Sequence, residues 1–524
     1  MSTPVSIHDG PFTTNTLASK KFLIFYVIII WWSVLPLMLE FYLFWKLVEN
    51  HLFFFILLLP IEIYVGYLIL VFSSILLAKI SLSIINLIHK PKEGVFKRKK
   101  SDKNFYFWSL RAVIKKWPIW VSKFIPLPLV DKLNLRWFHN DSEFIEYGKN
   151  VCIGEGSSIK ASLIFGEFLI IKKVKIDDNV TIGSNCFIAP GTHIYKNSVI
   201  ATMSETRYNQ RVKSNSYLNT DSDNLIQLLK KILSTNESST KQTQDNSNTM
   251  QNKKQTKKFV KNFAFDITIF GILYFLSNFI PVMGSIYFVL ILFFPFFLQS
   301  PSYFTIFKNC NSILIFLITP LFIIFFYFLN LLFVIFFTKL FYKWITHLNP
   351  VKEGIIEWEK KTTDYKYYFK RSFILRYIKW KIQKSPFPWL IKFAFNFIGN
   401  CQIGNNTVLE DSYLAKELFV AGNNTYIGKV LLANHLWDKN LIIKKIKLGN
   451  NVTILDNCCI APGTEINDNV LLLPLSVTTK NSILLANSIY FNTSLTKISK
   501  EVLIQAFNIN KEDLMLNINY FRKQ

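Results

Sequence analysis

A histidine and an aspartate in the last third of the chain are the candidates for chemistry in this sequence. His435 and Asp438 stand in the segment NHLWDKNLIIKK, which begins at Asn434. A neutral imidazole can accept a proton from a hydroxyl or an amine while that group attacks an acyl carbon. A lone histidine is more often a surface or hydrogen-bonded side chain, so its role depends on the elements that hold it.

The residues that follow this segment have a six-residue period. Aliphatic side chains recur at every sixth position, at Leu448, Ile454, Ile460, Ile466 and Leu472. Three residues after each of the first four comes a residue that adopts the left-handed backbone conformation cheaply, at Asn451, Asn457, Gly463 and Asn469. The pattern describes one side of a triangular coil. Stacked coils of this kind form a parallel β-helix with the aliphatic ladder inside.

The same period occurs earlier in the chain. The ladder there consists of Ile176, Ile182, Ile188 and Ile194, and the turn positions are Asn179, Asn185, Gly191 and Asn197. Both stretches contain the words NVTI and IAPGT. They resemble the hexapeptide repeat of many acyltransferases, and that resemblance implies a left-handed β-helix, because the spacing alone does not give the hand.

The rest of the sequence predicts an integral membrane protein. Of the 524 residues 51% are hydrophobic, and the apolar stretches long enough to cross a bilayer lie at about 22–45, 52–88, 264–298 and 311–346. Pro60 and Glu62 interrupt the second stretch, which fits either one long helix or a hairpin. Lysine and arginine cluster beyond the stretches, which predicts cytosolic termini and β-helices. The net charge of +26 then favours a bilayer with an anionic cytosolic leaflet over nucleic acid.

The chain consists of two copies of one unit, so the fold class is a multidomain α + β membrane protein. The segment HKPKEGV of the first copy is similar to HLNPVKEGI of the second, and LIIKKVKIDDNVTI is similar to LIIKKIKLGNNVTI. The predicted order is a disordered N-terminus (1–21), transmembrane helices (22–89), a basic interfacial segment (90–148), a shortened β-helix (149–211), a disordered linker (212–258), transmembrane helices (259–348), a basic interfacial segment (349–397), a β-helix (398–496) and a C-terminal helix or cap (497–524). The aromatic and basic segment 106–125 fits a helix in the membrane interface or an ordinary amphipathic helix packed on the domain equally well.

The two copies differ where the candidate chemistry lies. Aligned without a gap, His435 is matched by Leu163 and Asp438 by Gly166. The first copy also lacks about one coil, so its predicted role is structural. Cys186 and Cys458 share one place in the hexad and are expected to pack inside, and no histidine or cysteine set has the spacing of a metal site.

The resemblance to hexapeptide acyltransferases implies a mechanism without a covalent intermediate. His435 would act as general base, Asp438 would orient it, and backbone N–H groups of a neighbouring coil would hold the oxyanion. No tightly bound cofactor is expected, and the donor would be an acyl-CoA or carrier-protein thioester. The residues that bind a donor are not indicated.

A closer resemblance is to the membrane-embedded C-terminal region of non-ribosomal peptide synthetases of the ε-poly-lysine synthetase type. The matching words are KEG followed by the aromatic and basic segment, FVAGNNTYIG from Phe419, and NHLWDKNLIIKKIKLGNN from Asn434. This resemblance implies aminoacyl transfer and a carrier protein as partner. No adenylation or carrier domain is present in the sequence, so the activated group would come from elsewhere.

The sequence thus predicts a membrane acyl- or aminoacyltransferase with His435 as base. The alternative is a non-catalytic membrane scaffold whose β-helices form interaction surfaces, with homo-oligomers possible in either case. A transporter is a third reading, which the few ionisable residues of the spans (Glu40, Glu62, Lys79 and Asp266) do not favour. An open cleft at His435 would favour the enzyme over the scaffold.

Overall fold

The computed structural model describes residue 19 and residues 21–122, 141–154, 156–165, 168–219, 264–356, 362–410, 414–438, 440–491 and 496–498. Most of the predicted N-terminal and C-terminal segments and most of the predicted linker lie outside these residues. The helices are α1 (Phe22–Val48), α2 (Leu52–Ile88), α3 (Lys103–Val121), α4 (Ala264–Phe288), α5 (Tyr303–Lys308), α6 (Cys310–Leu348), α7 (Thr363–Gln383) and α8 (Leu390–Ile398). A π-helical segment, Val289–Leu298, continues α4.

The strands fall into two groups, one in each copy. The first group contains β1 (Gly94–Lys97), β2 (Ile145–Tyr147), β3 (Cys152–Ile153), β4 (Ser158–Ile159), β5 (Ser162–Phe165), β6 (Phe168–Ile171), β7 (Val174–Ile176), β8 (Thr181–Ile182), β9 (Phe187–Ile188), β10 (His193–Ile194), β11 (Val199–Ile200), β12 (Arg211–Val212) and β13 (Tyr217–Leu218). The second group contains β14 (Gly354–Ile356), β15 (Cys401–Ile403), β16 (Val408–Leu409), β17 (Phe419–Ala421), β18 (Tyr426–Ile427), β19 (Leu431–Leu432), β20 (His435–Asp438), β21 (Asn440–Ile443), β22 (Ile446–Leu448), β23 (Thr453–Ile454), β24 (Cys459–Ile460), β25 (Glu465–Ile466), β26 (Leu471–Leu472), β27 (Ile483–Leu484), β28 (Ile489–Phe491) and β29 (Thr496–Ile498).

Four helices are long and apolar enough to cross a membrane: α1, α2, α4 with its π-helical continuation, and α6. The stretch from Leu52 to Ile88 is one continuous helix rather than a hairpin, although Pro60 lies inside it. Large apolar side chains such as Phe53, Ile63 and Phe325 are more than half exposed on these helices. Exposed apolar surface of this extent suits a lipid environment.

The first coil stack, Ile145–Leu218, is a three-sided pile of parallel strands. The pairings β7–β10–β12 and β8–β11–β13 form two faces, and β4, β9 and a bridge from Phe187 to Glu205 form the third. The Asn179 side chain donates a hydrogen bond to the Asn197 side chain of the next coil. The two residues are 18 positions apart, so one coil consists of three hexads. Because β12 and β13 belong to the stack, it extends to Leu218, seven residues beyond the predicted boundary at 211. The left hand stays a prediction of the resemblance.

The predicted turn positions are confirmed in both ladders. All six asparagines of the two sets have φ between 54° and 60°, and both glycines have φ near 80°. The aliphatic ladder residues are all buried. Asparagine side chains also bond from coil to coil, as in the row Asn451, Asn469 and Asn487.

The second coil stack, Cys401–Phe491, has one coil more than the first. Its strands β17 and β22 pair as β2 and β7 do, but β15 and β16 add a coil below them. The predicted shortening of the first copy is therefore confirmed. In both copies an antiparallel hairpin interrupts the coils. A third strand, which begins at the glycine of the KEG sequence, pairs with the edge of this hairpin, in the orders β1–β6–β5 and β14–β21–β20.

The two copies form one body. In the coils, the Lys160 ammonium lies 2.8 Å from Asp456, which also accepts hydrogen bonds from the Ser158 hydroxyl and the Lys429 backbone N–H. In the membrane part, the Tyr42 hydroxyl donates to the Ser300 carbonyl across the same boundary. The duplication has thus produced an internal interface between the copies.

The helix α3 corresponds to the second of its two sequence alternatives. It packs against α1 and α2, and most of its residues, including Arg111 and Lys115, are buried. Its Trp117 donates to the Ser33 hydroxyl of α1 at 2.9 Å. A helix enclosed in this way is part of the protein core, and a position at the membrane interface stays a prediction.

Candidate functional site

His435 is the first residue of the hairpin strand β20. Its backbone pairs with Ile443 of β21, and its imidazole lies 6.0 Å from the Tyr368 ring of α7, measured between ring centroids. The histidine is half-buried. The prediction that it interrupts the hexads just before the ladder resumes is confirmed, because β20 and β21 project as a hairpin between β19 and β22.

The strand pairings correct the alignment of the two copies at this hairpin. Ser162 pairs with Ile171, whereas His435 pairs with Ile443, the residue that matches Ile171 in LIIKK. His435 therefore corresponds to Ser162 and not to Leu163, and Asp438 corresponds to Phe165 and not to Gly166. The gapless alignment failed because the first hairpin has two residues in its turn and the second has one.

Asn434 fixes the orientation of the histidine ring. Its amide nitrogen donates to the Glu417 carbonyl at 2.8 Å, so its amide oxygen is left to face the neighbouring imidazole. That oxygen lies 3.2 Å from Nδ1 of His435 and is an acceptor, so Nδ1 carries the proton. Nε2 is then the unprotonated nitrogen, which is the one that can act as a base.

A second set of polar groups lies beside the ring. The Lys416 ammonium donates to the Ser372 hydroxyl of α7 at 2.7 Å, and Glu417 accepts from Arg371 Nε at 2.8 Å. Arg371 also donates to the Asn349 carbonyl at the end of α6. The arginine of α7 thus joins the coil residue Glu417, which precedes β17, to the end of α6.

The electrostatic environment keeps the imidazole neutral. Burial lowers the pKa of His435 below its ordinary value of 6.5, and the positive charges of Lys416 and Arg376 lower it further. Burial also lowers the pKa of Lys416, with Arg376 and Lys379 acting in the same direction, to about 8. A neutral imidazole beside an ammonium group whose pKa is lowered is an arrangement suited to proton transfer at neutral pH.

The space beside these groups is small. The crevice has a volume of about 10 Å³, enough for one water molecule, and is lined by Tyr368, Ser372, Leu414, Ala415, Lys416, Glu417, Asn434 and His435. It lies within the second copy, between α7 and the coil edge, and not between the two stacks. The open cleft that would favour the enzyme is absent from this part of the described chain.

Asp438 lies at the other end of the same short strand. Its backbone is paired with Asn440 at the hairpin turn, three residues from His435 and thus about 10 Å away along the strand. Its side chain lies outside the described residues, so its orienting role stays a prediction. Among the described residues, the hydrogen-bond partner given for the imidazole is Asn434.

The corresponding place in the first copy holds different chemistry. The Ser162 hydroxyl donates to Asp141, which also accepts from Trp108 Nε1 at 2.8 Å. Lys115 of α3 donates to the Ser142 hydroxyl at 2.8 Å, so a lysine–serine contact joins helix and coil in both copies. In the first copy the lysine is on the helix and the serine precedes β2, whereas Lys416 is on the coil and Ser372 on the helix. The imidazole with its asparagine is what distinguishes the second copy.

Sequence reasoning missed Asn434, Lys416 and Glu417 as neighbours of His435. Asn434 could have been found, because an asparagine directly before a histidine on a hairpin strand is absent from the first copy. Lys416 and Glu417 precede the histidine by a whole coil, and nothing in their spacing indicates that they meet it. Only the stacking of β17 on β22 and the contact with α7 bring them together.

Other candidate groups have structural partners. His193 Nε2 donates a 3.2 Å hydrogen bond to the Asp177 carboxylate, and the ring stacks on Tyr195. Cys186 and Cys458 are buried, as predicted for packing residues. Among the described residues, no cluster of three or more histidine, cysteine or acidic side chains could hold a metal ion.

Comparison with known proteins gives neighbours in structure only. No protein-family model and no curated protein matches the sequence. A hexapeptide-repeat acetyltransferase from Vibrio cholerae is 19% identical, with 20% of this chain and 64% of that chain covered and a TM-score of 0.17. The chain therefore spans somewhat less than two thirds of that neighbour.

Two further neighbours are enzymes of the same kind. A maltose O-acetyltransferase from Clostridium difficile 630 is 20% identical, with 32% of this chain and 88% of that chain covered and a TM-score of 0.17. AntD, an N-acyltransferase from Bacillus cereus solved with dTDP and coenzyme A, is 15% identical, with 24% and 82% covered and a TM-score of 0.17. These three neighbours are thus acetyl- and acyltransferases, and each matches less than half of this chain.

Proposed function

We propose that this protein is an integral membrane acyl- or aminoacyltransferase whose second coil stack uses His435 as general base on a thioester donor. The observation that carries the proposal is the Asn434–His435 pair, which leaves Nε2 unprotonated beside a cationic Lys416. The first copy has the hairpin but not this pair, which favours a structural role for it. The resemblance of the hexads to acyltransferases supports the reaction class.

The reaction would proceed in one attack. Nε2 of His435 takes the proton of an acceptor amine or hydroxyl as that group attacks the thioester carbonyl, and the carbonyl oxygen becomes an oxyanion. The Lys416 ammonium stabilises this negative charge. The thiolate then leaves as the carbonyl re-forms, and the imidazolium returns the proton to it. Asn434 holds the reactive tautomer throughout, with Asp438 as a second candidate orienter.

The donor would be a thioester of coenzyme A or of a carrier protein. A crevice with room for one water does not enclose a pantetheine arm, so the donor would lie along the surface of the hairpin and reach His435 at its edge. With an aminoacyl donor, which the resemblance to ε-poly-lysine synthetases implies, the amine of the acceptor would still need His435 as its base. The identity of the thioester donor is therefore the first point to test.

The test of activity uses the full chain reconstituted in vesicles and acyl-CoA donors of increasing chain length. Release of the coenzyme A thiol is measured with and without an added amine such as lysine methyl ester. Amine-dependent release with formation of the amide would support the proposal. Release at the rate of protein-free vesicles for every donor, and for carrier-bound aminoacyl thioesters, would overturn it.

A non-catalytic scaffold is the second candidate function, and two observations favour it. The crevice at His435 is nearly filled, and the two stacks are joined by a buried ionic contact that would serve a rigid assembly surface. The discriminating result is the same thiol assay, since a scaffold binds partners without consuming thioester. If no thioester is consumed, co-purification of a partner protein would then support the scaffold role.

A further inference from the structure

A cavity of about 500 Å³ lies among the membrane-spanning helices, far from His435. Its walls come from α1 and α2 of the first copy and from α4, its π-helical continuation and α6 of the second. The volume falls in the range of sites that hold one small molecule or one chain. The cavity is therefore a feature of the interface between the two copies and not of either copy alone.

The cavity opens sideways, between helices. Ile63, Val289 and Ile323 line it and are 65%, 44% and 52% exposed, so they stand at its mouth. All three are apolar, and on a membrane-spanning helix such residues face hydrocarbon rather than water. An occupant would accordingly enter from the bilayer.

Every spanning helix contains a proline at or near the cavity. The prolines inside these helices are Pro36, Pro60, Pro281 and Pro320, and each removes one backbone hydrogen bond from its helix. The carbonyl of Ser277, which Pro281 leaves without its helical donor, accepts from the Asn330 amide at 3.0 Å. The π-helical segment that begins at Val289 adds a second irregularity, and π-helical turns are frequent at functional sites. All four spanning helices thus have an irregular backbone near the cavity.

One wall of this apolar cavity carries an acid. Glu62 is only 8% exposed and lines the cavity, and its carboxyl group contacts that of Glu40. Glu40 Oε2 is buried beside Gly66 with no hydrogen-bond partner among the described residues. A buried carboxyl oxygen without a protein donor can accept a hydrogen bond from a hydroxyl or an amine.

The acid pair lies toward the end of the spans that is opposite to the coils. Glu40 is eight residues from the end of α1 and Glu62 is ten residues from the start of α2, which places both about 12–15 Å from the connection between these helices. A lipid-like molecule whose polar end lies near that side of the membrane could reach the acids. Its chain would then extend along the cavity walls.

We propose that this cavity binds a single-chain amphiphile from the bilayer, with its hydrocarbon chain between the two copies and a hydroxyl or amine donating to the Glu40–Glu62 pair. The apolar walls select the chain, and the unpartnered oxygen of Glu40 selects a donor at its end. This site is independent of the chemistry at His435.

The test uses the full chain in phosphatidylcholine vesicles with a photoactivatable hexadecanol that carries its reactive group in the chain. Labelled peptides are mapped by mass spectrometry. We expect saturable labelling of α2 and α6 at the cavity, and hexadecanol should compete about tenfold better than its methyl ether, which cannot donate. Labelling spread evenly over the spans, without saturation, would overturn the proposal and indicate annular lipid.

Two substitutions sharpen this test. Val289→Trp fills the mouth and should abolish the saturable labelling, while Leu290→Trp, at a neighbouring exposed position that does not line the cavity, should leave it unchanged. Glu62→Leu should remove the difference between the alcohol and the ether and retain chain binding. Equal competition by the two compounds in the unmodified protein would contradict the role of the acids.

Discussion

At the scale of single residues, the proposed chemistry depends on one imidazole and the amide that precedes it. The hydrogen bond from Asn434 to the Glu417 carbonyl decides which end of the amide faces His435, and hence which ring nitrogen is free. The adjacent Lys416 keeps the ring neutral and provides a positive charge. Asn434, His435 and Lys416 account for the proposed proton transfer without any contribution from the coil interior.

Asn434 provides the first prediction. In Asn434→Leu the imidazole loses its acceptor, so the reactive tautomer is no longer favoured and kcat should fall on the order of tenfold to a hundredfold, with KM little changed. Asn434→Asp keeps an acceptor for Nδ1 and should restore much of the rate. Steady-state kinetics of both variants are the measurement, and a rate of Asn434→Leu equal to that of the unmodified protein would contradict the positioning role.

The dependence on pH gives the second prediction. Because the pKa of His435 is lowered, the base stays neutral at pH values below 6.5, and activity should decline only when the pH falls further. Lys416→Met removes one of the positive charges that lower this pKa, so the acid limb of the pH–rate profile should move to higher pH. Lys447→Met, at an exposed coil position, is the control. An unshifted limb in Lys416→Met would show that the lysine does not act on the histidine.

At the scale of elements, the ionic contact between the stacks should be costly to break. Lys160→Met leaves the buried carboxylate of Asp456 without its cation and should lower the free energy of unfolding by about 3–5 kcal/mol. The matched control is Lys173→Met, because its pair with Glu146 is exposed and should contribute less than about 1 kcal/mol. Chemical denaturation in detergent measures both losses, and equal losses would contradict the role of burial.

The turn residues give the next prediction at this scale. Asn469 has φ of 58°, which a β-branched side chain adopts only at a cost of about 1–2 kcal/mol. Asn469→Val should therefore destabilise the second stack by at least this amount, while Asn469→Gly should lose only the contacts of the asparagine row. The same denaturation experiment compares them. Equal stability of the two variants would show that the backbone conformation is not limiting.

The sequence predicted the coils well and the site only in part. A ladder such as Ile454 and Ile460 and a turn such as Asn457 follow from local preferences, which the six-residue period displays directly. The hairpin register could not be predicted, because a one-residue difference in turn length leaves no trace in the LIIKK words. Glu417 reaches Asn434 only through coil stacking, which joins residues that are distant in sequence.

At the scale of the whole molecule, the duplication produces one body with its coils at one end of the spans. The helices α2 and α6 end at the coils, so the connection after α1 and the start of α6 lie at the opposite end. Hydrogen bonds such as that from Tyr42 to Ser300 hold the two pairs of spans together. This internal pairing also leaves the two stacks in contact within a single chain, without a second subunit.

Two native cysteines test the orientation that the basic segments predict. Cys152 lies exposed on the first stack, and Cys310 lies exposed at the start of α6, at the other end of the spans. A membrane-impermeant thiol reagent should label Cys310 on intact cells and Cys152 only after permeabilisation, with Cys152→Ser and Cys310→Ser variants identifying each signal. The reverse pattern would place the coils outside the cytosol.

The most direct test of the central claim compares two histidines in the thioester assay. His435→Ala should reduce donor consumption by on the order of a hundredfold or more, as expected for loss of a general base. His193→Ala removes an imidazole from the other stack and should leave the rate unchanged. If His435→Ala retains the rate of the unmodified protein, the assignment of acyl transfer to this hairpin is wrong.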